Sequence, residues 1–349
     1  MGLMWIQGMA MDKSLLVEFA APQFVIPSSL DDWKSRRGVI KSQLQKLLGD
    51  LPVRPVSPTI SGVKREDKNS YYLEKFSIGN GAGAEIPAYL LLPKKASKAN
   101  PVPAILYCHW HGGECDIGKE ELFRNDHTPA VPAIEFVERG YAVLAIDAYC
   151  FGERNGVGPA GATEKGSSGE MTASKYNLWL GRSLWGMILR DDLIALDVLA
   201  ARPEIDPNRI GATGISMGAT RTWWLMALDE RIKSGVAVAC LTRYEDLISR
   251  QGLKYHGIYY FVPGILKHFD TEAIVSLAAP RPLLCMNGDQ DDGTPVRGVR
   301  IIESAVTSIY ELYGKKANYV SRIYPNTGHK YLPEMWVSML EWFERDLKP

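Results

Sequence analysis

A serine, a group of aspartates and a histidine, each placed where a strand gives way to a turn, carry the chemistry legible in this chain. Gly214-Ile215-Ser216-Met217-Gly218 is a Gly-x-Ser-x-Gly pentapeptide between a short apolar run at 209–214 and a helix-like run at 217–228. That context defines a nucleophile elbow, in which the chain turns so sharply from strand to helix that the serine hydroxyl stands exposed. Side chains at positions 214 and 218 would collide with neighbouring backbone there, and glycine has none to collide. A serine hydroxyl is a weak nucleophile until a base takes its proton, and the base needs an acid to hold its tautomer. Such an elbow takes its partners in the chain order serine, acid, histidine. Residues 282–288 read as a buried strand running into Asp289-Gln290-Asp291-Asp292-Gly293, which offers Asp289, Asp291 and Asp292 as acids. Residues 319–324 read as the last strand and deliver Pro325-Asn326-Thr327-Gly328-His329, where the base belongs.

Attack on an acyl carbonyl puts negative charge on oxygen, so donors must already be aimed at it. One is the backbone N–H of Met217, the residue after the nucleophile; the other is assigned to the N–H of His111 in the His109-Trp110-His111-Gly112-Gly113 loop that follows an early strand. A metal reading competes, because Glu114 and Asp116 follow the His-x-His pair. No further ligand pair appears and a serine triad needs no metal, so neither metal nor cofactor is expected. The acidic turn is no calcium loop either, since Gly293 falls one residue early for an EF-hand.

Elements that could hold these groups are legible around them. Residues 28–32 cap a helix with Trp33, Ile40, Leu44 and Leu48 on one face, stopped by Gly49. The proline-rich stretch 51–58 is a linker, and the body is expected to begin near Lys64. Residues 71–78 and 86–92 flank a glycine-rich turn as a hairpin; that turn leads into a strand, not a helix, which excludes a dinucleotide loop. From Pro103 onward buried strands alternate with helices: strands at 104–108, 141–146, 210–214, 235–240, 282–286 and 319–323, helices at 132–139, 186–201, 217–228, 299–313 and 333–346. Alternation of that kind predicts a mostly parallel sheet covered on both faces, with its site at the strands' carboxyl ends. Two stretches break it, about 149–185 and 242–279, and read as insertions over that edge. The chain is expected to comprise an arm and linker, 1–63, and a catalytic domain, 64–349.

Composition sets the bounds. Forty basic and 40 acidic residues among 349 leave no net field for nucleic acid or an anionic membrane. The five cysteines lack Cys-x-x-Cys spacing, so reduced, buried thiols are expected, with Cys108, Cys240 and Cys285 inside strands. The first ten residues show neither a signal peptide nor, with Ile6 in place, a myristoylation site, and no apolar run reaches membrane-spanning length. A cytoplasmic protein follows. The arm packs on its own body or on a second subunit of a homo-oligomer.

Beyond the elbow, the His109-Trp110-His111-Gly112-Gly113 loop, the run from Asp147 to Arg154 and the run from Ala201 to Ile210 make a more specific pattern. With them, roughly from Lys64 to the C-terminus, the chain resembles the α/β-hydrolase superfamily, and within it the acetyl-xylan-esterase-like and dienelactone-hydrolase-like esterases. The resemblance implies an α/β-hydrolase fold with an N-terminal helical arm and insertions over the active site, and a triad of Ser216, Asp291 and His329 with His111 and Met217 as oxyanion hole. Asp291, three residues beyond Gly288 and four before Pro295, has the acid-turn spacing of esterases and oligopeptidases in this fold; Asp289 is the second candidate. Trp110 stands where relatives carry glycine and is expected to narrow the acyl side of the pocket. The serine excludes the cysteine chemistry of true dienelactone hydrolases.

A serine carboxylic-ester hydrolase acting on a small-molecule ester, with acetylated carbohydrate among the candidates, is the reading that follows. Trp110, Tyr149 and Trp185 are its expected substrate contacts, although the insertions' aromatics would equally serve to pack them onto the sheet. Glu153, Arg154, Arg190 and Asp191 read as structural pairs. A peptidase or acylaminoacyl hydrolase would use the same triad, but such relatives carry an N-terminal propeller that about 60 residues of arm do not supply. A silent binding protein on this fold would have lost triad residues, and here none is lost.

Overall fold

The computed structural model describes residues 20–159 and 161–348. The expectations for the first ten residues lie outside them.

Nine strands form one sheet: β1 (Ile60–Lys68), β2 (Tyr71–Gly79), β3 (Glu85–Pro93), β4 (Val102–Cys108), β5 (Ala142–Ile146), β6 (Ile205–Ile215), β7 (Ile232–Val238), β8 (Leu283–Gly288) and β9 (Tyr319–Tyr324). Their spatial order is β1-β2-β3-β5-β4-β6-β7-β8-β9. The first three strands and the β3–β5 pair are antiparallel; from β5 across to β9 every neighbour is parallel. Strand order reverses between β4 and β6, which makes a crevice at their carboxyl ends.

The helices are α1 (Leu30–Leu48), α2 (Pro132–Glu138), α3 (Ser167–Trp179), α4 (Leu184–Ala201), α5 (Met217–Leu228), α6 (Tyr244–Ser249), α7 (Thr271–Ser276), α8 (Val296–Leu312) and α9 (Pro333–Leu347). Period-two alternation divides the sheet's side chains between two layers. Ala104, Leu106 and Cys108 of β4 join the core beneath α4, α5 and α8, while Ile105 and Tyr107 face the layer of α2 and α9. The mostly parallel sheet with helices on both faces is the architecture the sequence implies.

Helix α1 is capped by Ser29, whose hydroxyl accepts from the Asp32 N–H, and Trp33, Leu44 and Leu48 are buried in the same core cluster as β4 and β6. Helix α1 of the arm therefore packs on its own body. The linker is fastened by Arg190, which donates to the carbonyls of Pro52, Val53 and Asn80 at 2.6–2.8 Å. The sheet starts at Ile60, ahead of the expected boundary near Lys64, because β1 is an exposed edge strand with no apolar periodicity to reveal it. Strand β7 ends at Val238, so Cys240 lies beyond the strand, in a loop with φ of 60°. The first insertion contains α3 and the second contains α6 and α7; α3 packs against the turn at Ile258–Tyr260, so the two insertions meet over the sheet's carboxyl edge.

Candidate active site

Ser216 stands between β6 and α5 with φ 59° and ψ −119°, a left-handed conformation that a non-glycine residue adopts only where its surroundings impose it. They do so through close packing. A Cβ at Gly214 would lie 2.1 Å from the Cys108 carbonyl oxygen, and one at Gly218 would lie 2.0 Å from the same atom. The elbow is thus pressed onto the end of β4, the strand that launches the His109–Gly113 loop. Met217 opens α5, so its N–H has no acceptor within the helix and is free to serve a ligand.

The acid turn and the histidine loop are joined in the same way. A Cβ at Gly288 would fall 2.1 Å from the Thr327 carbonyl oxygen, and Gln290 N–H donates to that oxygen at 2.8 Å. The three candidate aspartates separate by partner. Asp291 Oδ2 accepts from His329 Nδ1 at 2.7 Å while its Oδ1 accepts from the Gly293 N–H at 3.0 Å. Asp289 accepts instead from the Thr327 N–H, and Asp292 from the Tyr255 hydroxyl. With its Nδ1–H committed to Asp291, His329 keeps Nε2 as the nitrogen that can take a proton. Ser216, Asp291, His329 and His111 line one cavity of about 560 Å3.

The loop after β4 is held by buried polar groups. His109 is fully buried, and desolvation, helped by the Arg221 cation, holds its imidazole well below the ordinary range and therefore neutral. Its Nδ1–H donates to the Trp110 carbonyl at 2.8 Å and its Nε2 accepts from the Ala148 N–H at 3.1 Å. Glu121 accepts from the Trp110 N–H and from the Tyr107 hydroxyl, both at 2.6 Å, and burial lifts its carboxyl to about 7. His111 lies with Nε2 3.0 Å from both carboxylate oxygens of Glu170. The side chains of the metal reading go to separate partners: Glu114 to His127 and Asp116 to Asn155. No group of three or more metal-ligating side chains gathers among the described residues.

The expected substrate contacts lie elsewhere. Trp110 stacks on His127 at 3.2 Å and covers Gly112; Tyr149 carries the Arg154 guanidinium over its ring and bonds Asn80; Trp185 is fully buried against Trp224 and Tyr259. None of the three lines the cavity, whose aromatic walls are Tyr255 and Tyr259 of the second insertion. Arg154 and Arg190 both pair with Asp191, and Glu153 with Lys119, as structural braces. Glu170, Glu121, His256 and the Cys240 thiol, 3.9 Å from the Ser216 hydroxyl, were not foreseen at the site. Only Cys240 carried a signal, its place at a strand end beside the elbow strand. A second cavity of about 360 Å3, walled by Tyr244, Leu247, Tyr260 and Ile265, is apolar and is lined by none of Ser216, Asp291 and His329.

Among known proteins, YtaP of Bacillus subtilis, named as a hydrolase, is 39% identical over 273 residues, which span 77% of this chain and 86% of that protein. A Bacteroides fragilis structure described as an acetyl xylan esterase superposes with a TM-score of 0.70 at 22% identity, covering 96% of this chain and 88% of its own. A glucuronoyl esterase from Solibacter usitatus gives 0.65 at 16% identity, with 93% and 98% covered. The chain shares the α/β-hydrolase fold of these structures, and a family model matches residues 6–322: the chain belongs to the Abhydrolase family.

Proposed function

We propose that the protein is a serine carboxylic-ester hydrolase working through an acyl-enzyme, with Ser216 as nucleophile, His329 as base, Asp291 as orienting acid and the N–H groups of His111 and Met217 as oxyanion donors. The observation that carries this reading is the 2.7 Å bond from His329 Nδ1 to Asp291, in a cavity that also exposes a serine in the elbow conformation. Ser216 Oγ attacks the ester carbonyl carbon as its proton passes to His329 Nε2, and the carbonyl electron pair moves onto oxygen, where the two N–H groups receive it. Collapse breaks the carbon–oxygen bond to the alcohol, which leaves with the proton from His329. Water then repeats the sequence on the acyl-serine and releases the acid.

The cavity walls include Ser167, Lys254, His256, Gln290 and Asp292, a polar set suited to an alcohol rich in hydroxyls. Together with the acetylated xylan named for one structural neighbour, this supports a short acyl group on a sugar-like alcohol. The five cysteines are free and buried, which supports a place in the cytoplasm; no helix among the described residues is long and apolar enough to cross a membrane. A peptidase would use the same triad, so one experiment addresses both. Hydrolysis of p-nitrophenyl esters from acetate to decanoate, acetylated xylan and an aminoacyl anilide is measured for wild type and Ser216→Ala. Ester turnover peaking at acetate is expected, with kcat at least about 10^4-fold lower in the variant and fluorophosphonate labelling lost with the serine. Cleavage of the anilide alone would replace the esterase reading with the peptidase one, and turnover surviving in Ser216→Ala would end both.

A further inference from the structure

Glu170 is a carboxylate only 1% exposed, on α3 of the first insertion, and its side chain has one hydrogen-bond partner among the described residues, the His111 ring. A buried carboxylate with so few partners is costly to the fold unless that partnership does something. We propose that Glu170 is a positioning residue for the oxyanion hole, acting through the His111 ring to fix the His111 backbone N–H. The inference rests on the esterase reading above and deepens it.

The bonds around His111 leave its ring one orientation. Gly113 N–H donates to Nδ1 at 3.0 Å, so Nδ1 is the unprotonated nitrogen and Nε2 carries the hydrogen. That hydrogen has the two Glu170 oxygens, each 3.0 Å away, to receive it. Flipping the ring would put a carbon where each of these nitrogens stands and break the bonds to Gly113 and Glu170 alike. Its flat side stacks on Tyr259 at 4.9 Å and its edge meets Phe151, which blocks the remaining rotation.

The peptide that carries the N–H is then clamped from both sides. In a trans peptide the N–H points away from the carbonyl of the same plane. That carbonyl, of Trp110, accepts the His109 Nδ1–H, which anchors the plane's near side. The His111 side chain, tethered to Glu170, anchors its far side. Glu170 also approaches Gly257, where a Cβ would lie 3.2 Å from its Oε2, so the oxyanion loop, α3 and the second insertion converge on this one carboxylate. Held donors matter because stabilisation of a developing oxyanion depends on dipoles that need not reorganise, and a displacement of about 1 Å costs up to roughly 100-fold in rate.

The test uses the full-length enzyme with p-nitrophenyl acetate. Glu170→Ala is expected to lower kcat about 10- to 100-fold with KM within about threefold, and to weaken binding of phenylboronic acid, which becomes tetrahedral on the serine, by the same factor. Binding of p-nitrophenol, which forms no tetrahedral adduct, should not change. Glu170→Gln keeps an oxygen to accept the Nε2–H and is expected to retain kcat within about threefold, while Lys175→Ala on the exposed side of α3 reports on the helix itself. Wild-type kcat in Glu170→Ala, a kcat loss without a matching loss of boronate affinity, or Glu170→Gln falling as far as Glu170→Ala would each overturn the inference. If Glu170→Ala does not fold, His111→Asn keeps the backbone N–H and removes the ring; the same loss is expected, and wild-type kcat there overturns it. Turnover persisting in Ser216→Ala would instead remove the esterase reading beneath it.

Discussion

Glu121 shows how one buried carboxyl couples the loop before the proposed oxyanion donors to pH. Burial is the largest influence on it and lifts it from the ordinary 4.5 to about 7, against the hydrogen bonds from Tyr107 and Trp110 that favour its ionised form. Below pH 4.5 it is protonated in both folded and unfolded chains. Between 4.5 and about 7 the unfolded chain ionises first, so this group's contribution to stability falls as pH rises and is gone above about 7. The loss is at most roughly 3 kcal/mol. Glutamine would keep both contacts, its carbonyl oxygen accepting from the Trp110 N–H and its amide donating to the Tyr107 oxygen. Glu121→Gln is therefore expected to gain about 1–3 kcal/mol on wild type between pH 5 and pH 8, read from urea unfolding at each pH. An equal difference between the two proteins at both pH values would refute it. Nothing in the sequence announced this residue or Glu170. Their partners lie 11 and 59 residues away, and a carboxylate's role at such range is set by the fold rather than by local pattern.

Elements that alternate burial with period were legible; those that do not were not. Helix α5 and the strands on either side of the elbow followed from apolar runs and glycine placement, and the acid and histidine turns from strand ends. Strand β1, Ile-Ser-Gly-Val-Lys-Arg-Glu-Asp-Lys, is exposed along almost its whole length and carries no such signal. Helix α3 has a weak apolar face with Met171, Leu178 and Trp179 exposed, so an insertion was legible but not the helix that brings Glu170 to the site. Aromatic content likewise marked the insertions without telling walls from packing: Trp185 went to the core and Tyr259 to the cavity. The elbow's glycines make the sharpest prediction at this scale. A methyl at Gly218 would meet the Cys108 carbonyl at 2.0 Å and its carbon at 2.9 Å, both backbone atoms that cannot swing aside. Gly218→Ala must push β4 from α5, and is expected to cost more than about 2 kcal/mol and to lower kcat with it, since β4 carries the loop of the proposed oxyanion donor His111. Thermal unfolding beside steady-state kinetics reads both, and a variant matching wild type in each would show that the elbow yields more than this packing allows.

At the scale of the whole molecule, helix α1 of the arm belongs to the core that supports the site without lining the site's cavity. Trp33 is fully buried, Leu44 likewise, and both share a cluster with residues of β4, β6, α4 and α5. Polar contacts fix its direction: Arg37 donates to Glu230 and to the Leu277 carbonyl, and at its far end the Leu48 carbonyl accepts from Ser183 at the start of α4. Helix α4 and α5 share the same layer, tied by the fully buried pair Arg221 and Asp192, so the arm braces the helices on which the nucleophile elbow rests. No residue of α1 lines the cavity that holds Ser216 and His329. Stability and chemistry should therefore separate. Replacing a fully buried tryptophan by alanine removes its transfer free energy and leaves a cavity, together about 3–5 kcal/mol, which in a chain this long lowers the unfolding midpoint by on the order of 5 °C. Trp33→Ala is expected to show that drop while its kcat, measured well below the midpoint, stays within about twofold of wild type. An unchanged midpoint would mean that α1 contributes little to the common core. A large fall in kcat at full folding would mean that the arm reaches the elbow through α4, and that the layer beneath the sheet sets the geometry above it.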